Sequence, residues 1–532
     1  MTAALRFKTA IVLLLAAGLA GTASVRAGDW PMWGRTPARN FYSPEKGAPA
    51  EFDPGRCRPD SEEVDPATTR NLRWVVRLGS QTYGNPTVAG GRVFVGTNNE
   101  APRDPRVRGD RGIVLCLDAK TGALQWQLVV PKLAAGRALD WELLGICSSP
   151  TVDGDRVYLV TSRCEVMCLD VHGQADGNQG MRAEGRYFAG PGHPPLEVTA
   201  RDADILWVFD MRKELGVQPH NMTSSSVLVL PDCVVATTSN GVDEQHEKIP
   251  APDAPALILL DKETGRLRAR EASGISRRTF HCNWSSPAFG VVAGRPTIIF
   301  GGGDGFCHGF DPVPARDARG RPVLRERWRY DCVPPQYKTR DGHPIEYPDA
   351  EGPSEIVATP VLYRDRVYVA IGQDPERGEG AGNLSCFDAT GTGDLTGRGR
   401  VWNDPGLKRS LSTVAIDPAT GLLFTADFSG YVYCFDAATG KRHWRYDMLA
   451  HVWGSPLVAD GKVFLGDEDG DFVILPARKD FDPDRDPPLF ETLFPEPIYS
   501  SAVLADGVLY VATHTHLYAI GPRRSEKNAR RK

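Results

Sequence analysis

Apolar and polar positions alternate over short runs of this chain, and the runs recur in a fixed order. The first set shows the scheme. A start at Asn85-Pro86 leads to Thr87-Val88, and further runs follow at 93–96, 113–118 and about 124–130, rich in Val, Ile, Leu and Phe. Side chains alternate across a strand with period two, so each run predicts a short, half-buried strand. The order returns eight times, with the other starts at Ser149-Pro150, Ser225-Ser226, Ser286-Pro287, Thr359-Pro360, Ser412-Thr413, Ser455-Pro456 and Ser501-Ala502. Several third runs end in Cys or Ala, one apolar residue and Asp. A turn follows, clearest at 118–122 (DAKTG), 261–265 (DKETG) and 436–440 (DAATG), and two of these continue to Trp126 and Trp444.

One four-stranded unit cannot bury both of its faces, so a repeat of this period predicts a ring of stacked units. The expected fold class is all-β: an eight-bladed β-propeller of four-stranded antiparallel blades. The last repeat has room for only three strands within 500–520. Its missing outer strand is expected at 72–78, which carries Trp74 after an Asp65…Thr68 segment resembling the recurrent turn. An N-terminal strand would then close the ring and remove its last open edge. The chain divides accordingly into a signal peptide (1–27), an N-terminal arm (28–62), the propeller (63–521) and a basic tail (522–532).

The 532 residues exceed an ordinary single core, which a propeller avoids by adding blades. Arg6 and Lys8, the apolar run 11–20 and Val25-Arg26-Ala27 follow the order of a secretory signal, so the mature chain is expected to be exported and soluble, in the periplasm or outside the cell. Formal charge is −5, and loss of Arg6, Lys8 and Arg26 makes it −8, which argues against a general nucleic-acid partner. Cys116, Cys168, Cys307, Cys386 and Cys434 share one repeat position and fit small buried hydrophobes. Among the other six cysteines, pairs such as Cys147–Cys164 could form disulfides. The acidic run 467–471 occupies the place of Asp304-Gly305 and Ser429-Gly430 in other repeats, so it reads as a hairpin turn.

Strand alternation sorts the loops. Connections between the outer strand of one blade and the inner strand of the next share a face with those between second and third strands. The long insertions 97–111, 130–147, 211–223, 239–255, 270–284, 331–357 and 372–382 all belong to that face. The opposite face is expected to be plain apart from 171–204 and 312–323. Loops longer than about 12 residues in a compact domain are usually functional or disordered, so binding is expected only on the elaborated face. Residues just before each inner strand should ring the channel mouth on the looped face. Among them are Tyr83, His220, Asn221, His281, Asn283, Trp284, His451, Trp453 and Tyr499, aromatic walls with a few polar groups that suit a cofactor, a sugar or a side chain. His220, His281 and His451 come from three repeats with no ligand spacing, so no metal site is expected. The Asn221 and Asn283 sequons lie against inner-strand starts, where a glycan would not fit.

The motif C/A-x-D-x-x-T-G-x-x-x-W at 116–126 and 434–444 resembles the repeat of PQQ-dependent quinoprotein dehydrogenases and their non-catalytic relatives. Residues 30–34 (WPMWG), 219–226 (PHNMTSSS), 281–287 (HCNWSSP) and 372–382 (GQDPERGEGAG) look like a group of exported PQQ-like propeller proteins, many of them planctomycete, with no assigned function. The resemblance implies eight blades and allows PQQ with Ca2+ over the channel mouth. Trp284 or Trp453 would then stack on the quinone, and Asn221 or Asn283 would give a metal oxygen. The adjacent-cysteine pair common in those enzymes is missing, and no residue stands out as a catalytic Asp. The barrel-assembly lipoprotein of Gram-negative envelopes shares the repeat and binds proteins. The sequence therefore favours a non-catalytic propeller that binds an envelope protein or small ligand through its looped face. A PQQ/Ca2+ oxidoreductase and a polysaccharide binder are the alternatives.

Overall fold

Runs of β-branched and aromatic residues broken by Gly-containing turns leave little choice but short antiparallel strands. The computed structural model, which describes residues 28–134 and 136–522, contains eight blade sheets in sequence order and a separate two-stranded hairpin of Thr339–Arg340 and His343–Pro344. Blade 1 comprises Thr87–Ala89, Arg92–Asn98, Arg111–Asp118 and Leu124–Pro131, paired in that order. In the eighth sheet Leu72–Arg77 lies outermost, antiparallel to His516–Ile520, with Trp74 opposite Ala519. The signal-like segment 1–27 and residues 523–532 of the basic tail lie outside the described residues.

Neighbouring blades are fastened by the turn-and-tryptophan motif. Asp118 Oδ1 accepts from Thr121 N and Oγ1, both at 2.9 Å, and Asp261 and Asp436 hold Thr264 and Thr439 in the same way. The tryptophan of each preceding outer strand lies on the turn and donates to its carbonyls: Trp74 to Ala119, Trp207 to Lys262 and Trp402 to Ala437. The turn glycine is required twice over. Gly122, Gly265 and Gly440 have φ near +70°, and a Cβ there would meet the ring of Trp74, Trp207 or Trp402 at 2.9, 2.5 and 2.5 Å.

The two insertions expected on the plain face do something else. Residues 171–204 run along the outer edge of blade 1, where Gln127 N donates to Arg201 O and Ala203 N to Gln127 O. Pro322–Leu324 pairs in parallel with the outer strand of blade 3. The physical reason is edge protection: an unpaired outer strand invites aggregation, and these connections cover it.

Residues 28–45 follow the inner strands around the axis. Backbone bonds join Gly28 to Asp506, Trp30 to Val88, Pro31 to Val152, Pro37 to Phe289, Ala38 to Leu362 and Phe41 to Val458. The Asn40 side chain bonds both N and O of Ile416. Arg39 reaches the remaining blade: its guanidinium, fully buried, donates to the carbonyls of Val227, Pro287 and Trp33 at 2.7–2.9 Å. The arm thus gives hydrogen-bond partners to the inner strands.

Candidate functional site

The repeated small polar residue at each inner-strand start turns out to be a hydrogen-bonding position. Asn85 N donates to Ser149 Oγ, Ser149 N to Ser226 Oγ and Ser226 N to Ser286 Oγ, at 2.9–3.1 Å. Across the ring Thr359 N donates to Thr413 Oγ1, Thr413 N to Ser455 Oγ, Ser455 N to Ser501 Oγ and Ser501 N to Asn85 Oδ1, at 2.7–3.1 Å. At Thr359 the hydroxyl oxygen accepts from Trp33 Nε1 at 3.0 Å. Trp33, from the arm, lies inside this belt.

Above the belt the channel widens into a cavity of about 450 Å³ on the looped face. Trp33 and the belt residues Ser149, Ser226, Ser286, Thr359 and Ser501 line its lower part. One wall is an aromatic cluster from blades 7, 8 and 1. Trp453 stacks on Tyr499 at 4.5 Å and 18°, and Tyr83 packs against Tyr499 at 5.3 Å. Trp453 Nε1 is held by Glu468 Oε2 at 2.9 Å. Facing it stand Asn221, Met222 and Trp284, whose indole N–H donates to Met222 O at 3.2 Å. Trp141, Asp374 and Glu376 also line the cavity, with Gln81 and Cys147 among others. Of the expected mouth residues, Tyr83, Asn221, Trp284, Trp453 and Tyr499 therefore share one cavity.

The other four do not line it. Asn283 is fully buried; its Nδ2 donates to Asn240 O and Thr279 Oγ1 while its Oδ1 accepts from Gly303 N. His451 stacks on Phe428 at 4.4 Å and bonds Phe428 O through Nδ1 at 2.6 Å. His220 and His281 lie behind Trp284, ring centroids 4.3 Å apart, and are joined by His246 from the loop 239–255. Burial pushes the imidazoles of His220 and His281 down to about 3 and about 4, so both are neutral near pH 7. Burial also raises the Glu355 carboxyl beside His281 to about 8, and raises Asp374 against the pull of His281.

All eleven cysteines are free, Cys147 and Cys164 included. Cys164 Sγ points away to Thr238 O of blade 3, while Cys147 faces the cavity. In the acidic run, Asp467 Oδ1 accepts from Asp469 N and Asp471 N, which is the turn expected there. Trp33, Trp141, His246, Asp374 and Glu376 were not foreseen. None sits just before an inner strand; their only signal was membership of a long loop or of the Trp-rich arm.

A family model described as "Outer membrane protein assembly factor BamB" matches residues 64–186 and 380–479. No curated protein matches the chain by sequence. Among solved structures, BamB from Moraxella catarrhalis superposes with a TM-score of 0.50 at 15% identity, over 85% of this chain and 98% of that one. A quinohemoprotein alcohol dehydrogenase from Comamonas testosteroni gives 0.47 at 13% identity, over 95% and 82%. A europium-containing methanol dehydrogenase gives 0.44 at 15%, over 92% and 90%. At these identities the likeness is one of fold.

Proposed function

Starting from a PQQ-like β-propeller, we propose that this chain binds a small, uncharged, ring-bearing ligand, a carbohydrate unit by preference, in the axial cavity of its looped face, and that it does so as an exported protein without turning the ligand over. What supports this most is the floor. Trp33, bonded to Thr359 Oγ1, and the hydroxyl belt line the cavity on the axis, which favours a pocket over a pore. Its size of about 450 Å³ falls within the range of small-molecule sites. Facing aromatic walls offer flat apolar surface to a sugar ring, and the serine hydroxyls, Asn221 and Gln81 offer donors and acceptors to its hydroxyls.

PQQ fits these walls poorly. It is a flat quinone carrying carboxylates, and it needs cations. The cavity lining contributes Asp374 and Glu376 but no Lys or Arg, and Arg137 at the rim is engaged with Glu376 at 3.2 Å and with the Trp141 ring. No step is therefore assigned to PQQ or Ca2+. Addition of both is expected to leave tryptophan fluorescence and melting temperature unchanged.

A glycan array followed by fluorescence titration tests the proposal. At least one oligosaccharide is expected to bind, and Trp284→Ala and Trp453→Ala are each expected to weaken it by roughly 10-fold or more, from loss of a stacking platform. An array without hits removes the carbohydrate assignment. A second reading, an envelope protein whose side chain enters the pocket, is favoured by the family match over residues 64–186 and 380–479. Such a partner would contact the surrounding loops as well, so its binding would survive Trp453→Ala with a smaller loss.

A further inference from the structure

Three imidazoles from separate loops converge behind Trp284. His220 comes from the connection between blades 2 and 3, His246 from the loop within blade 3, and His281 from the connection between blades 3 and 4. One ring nitrogen of each lies within 4.8 Å of the other two. His246 Nε2 and His281 Nε2 are 3.1 Å apart. Nitrogens around a tetrahedral Zn2+ with bonds of 2.0–2.1 Å stand about 3.3 Å apart, so this pair is already at ligand spacing. His220 Nδ1 meets Val242 O at 2.9 Å, which puts the proton on Nδ1 and leaves Nε2 a bare lone pair. That Nε2 is fully buried and has no hydrogen-bond partner among the described residues.

The carboxyl groups around the cluster supply a second geometric argument. Glu355 and Asp374 are buried against His281, with Glu355 Oε1 3.7 Å from Nδ1 and Asp374 Oδ2 3.6 Å from Nε2. Among the described residues neither pairs with a lysine or arginine, and Glu355 Oε1 has no hydrogen bond. Two buried carboxyl groups without a Lys or Arg partner thus stand against the imidazole cluster and add oxygen donors to it. A carboxylate behind a ligating histidine is the usual way its ring is oriented. Three imidazole nitrogens suit a borderline-soft metal better than Ca2+, which takes oxygen ligands.

We propose that His220, His246 and His281 bind one divalent first-row transition-metal ion of the Zn2+ class through their Nε2 atoms, with Asp374 completing the set and Glu355 orienting His281. The site stands apart from the carbohydrate assignment: its three histidines do not line the pocket, although the loops that carry His220, His281 and Asp374 also contribute Asn221, Trp284 and Asp374 to the pocket wall.

The test uses tag-free full chain, stripped with a chelator and titrated with Co2+, then Zn2+. The expected result is visible d–d absorption of four-coordinate Co2+ that saturates at one ion per chain and is bleached by Zn2+. At a hundredfold excess of Zn2+ over Kd the melting temperature should rise by about 2–3 °C. His246→Ala removes an exposed side chain and leaves the core intact; together with His281→Gln it is expected to cut affinity at least about 100-fold, and Glu355→Gln about 10-fold. Absence of the absorption, or an unchanged affinity in His246→Ala, overturns the proposal.

Discussion

Arg39 shows how much the fold asks of single side chains. Its guanidinium is completely buried with no carboxylate in contact, and burial lowers it to about 9, so it remains charged at pH 7. Three carbonyls from three parts of the molecule take up its donors. Arg39→Met would fill the space but orphan those carbonyls, and is expected to cost about 2–4 kcal/mol in urea unfolding; a loss below about 0.5 kcal/mol would contradict its role. His308 is a second case. Burial alone would lower it, but Asp304 Oδ1 at 3.2 Å and Glu326 Oε1 at 2.7 Å overcome this and hold it at about 9. Arg278 occupies the other Asp304 oxygen, and Glu271 lies within electrostatic reach. The folded pKa exceeds the unfolded value of about 6.5, so this stabilisation is complete below pH 6.5 and fades as pH rises through about 9. It amounts to on the order of 3 kcal/mol. Wild type is expected to lose stability between pH 7 and 10 relative to His308→Gln; parallel pH profiles would refute the assignment. Neither residue was legible in the sequence. Arg39 sits in a segment without periodicity, and His308 reads as one polar position of a strand. His246 was hidden for a related reason: it lies in an irregular loop, and only the fold brings it to His220 and His281.

At the scale of elements the sequence was far more readable. Every blade start was visible because a small polar residue, a short apolar pair and a Gly turn recur, and the DxxTG turns stood out because packing against tryptophan leaves them little latitude. Their purpose was less visible. In the sequence these residues only mark where each repeat starts, whereas in the structure their hydroxyls bond from blade to blade around the axis. Insertion 171–204 was assigned to a face because strand direction fixes where a loop leaves the sheet but not where it goes. The course of the arm along the inner strands was not legible, because its Trp-, Pro- and Gly-rich segment carries no strand period. Deletion of residues 28–45 is expected to expose the amides of Val88, Val152, Phe289, Leu362 and Val458 to rapid hydrogen exchange, while the outer-strand amides around Trp126 keep their protection. Unchanged exchange at the inner strands would show that the arm is not what protects them.

For the whole molecule, the consequence is a ring of blades around one axial cavity. A toroid of like blades places one residue from each repeat around a single opening. That is why Tyr83, Asn221, Trp284, Trp453 and Tyr499, far apart in sequence, share one cavity. Position before an inner strand was enough to find them. It also selected Asn283 and His451, because such a residue can turn inward to its own blade as readily as toward the axis. The export expected from residues 1–27 belongs to the proposal, and among the described residues no helix is long and apolar enough to cross a membrane. Native mass spectrometry of the full chain, purified from its own host, tests the central claim that the axial pocket holds a small organic ligand. The predicted result is one organic adduct per chain, absent from the Trp284→Ala/Trp453→Ala double variant and distinct in mass from any metal ion. A bare polypeptide mass from wild-type protein, or an adduct that persists undiminished in the double variant, would contradict it.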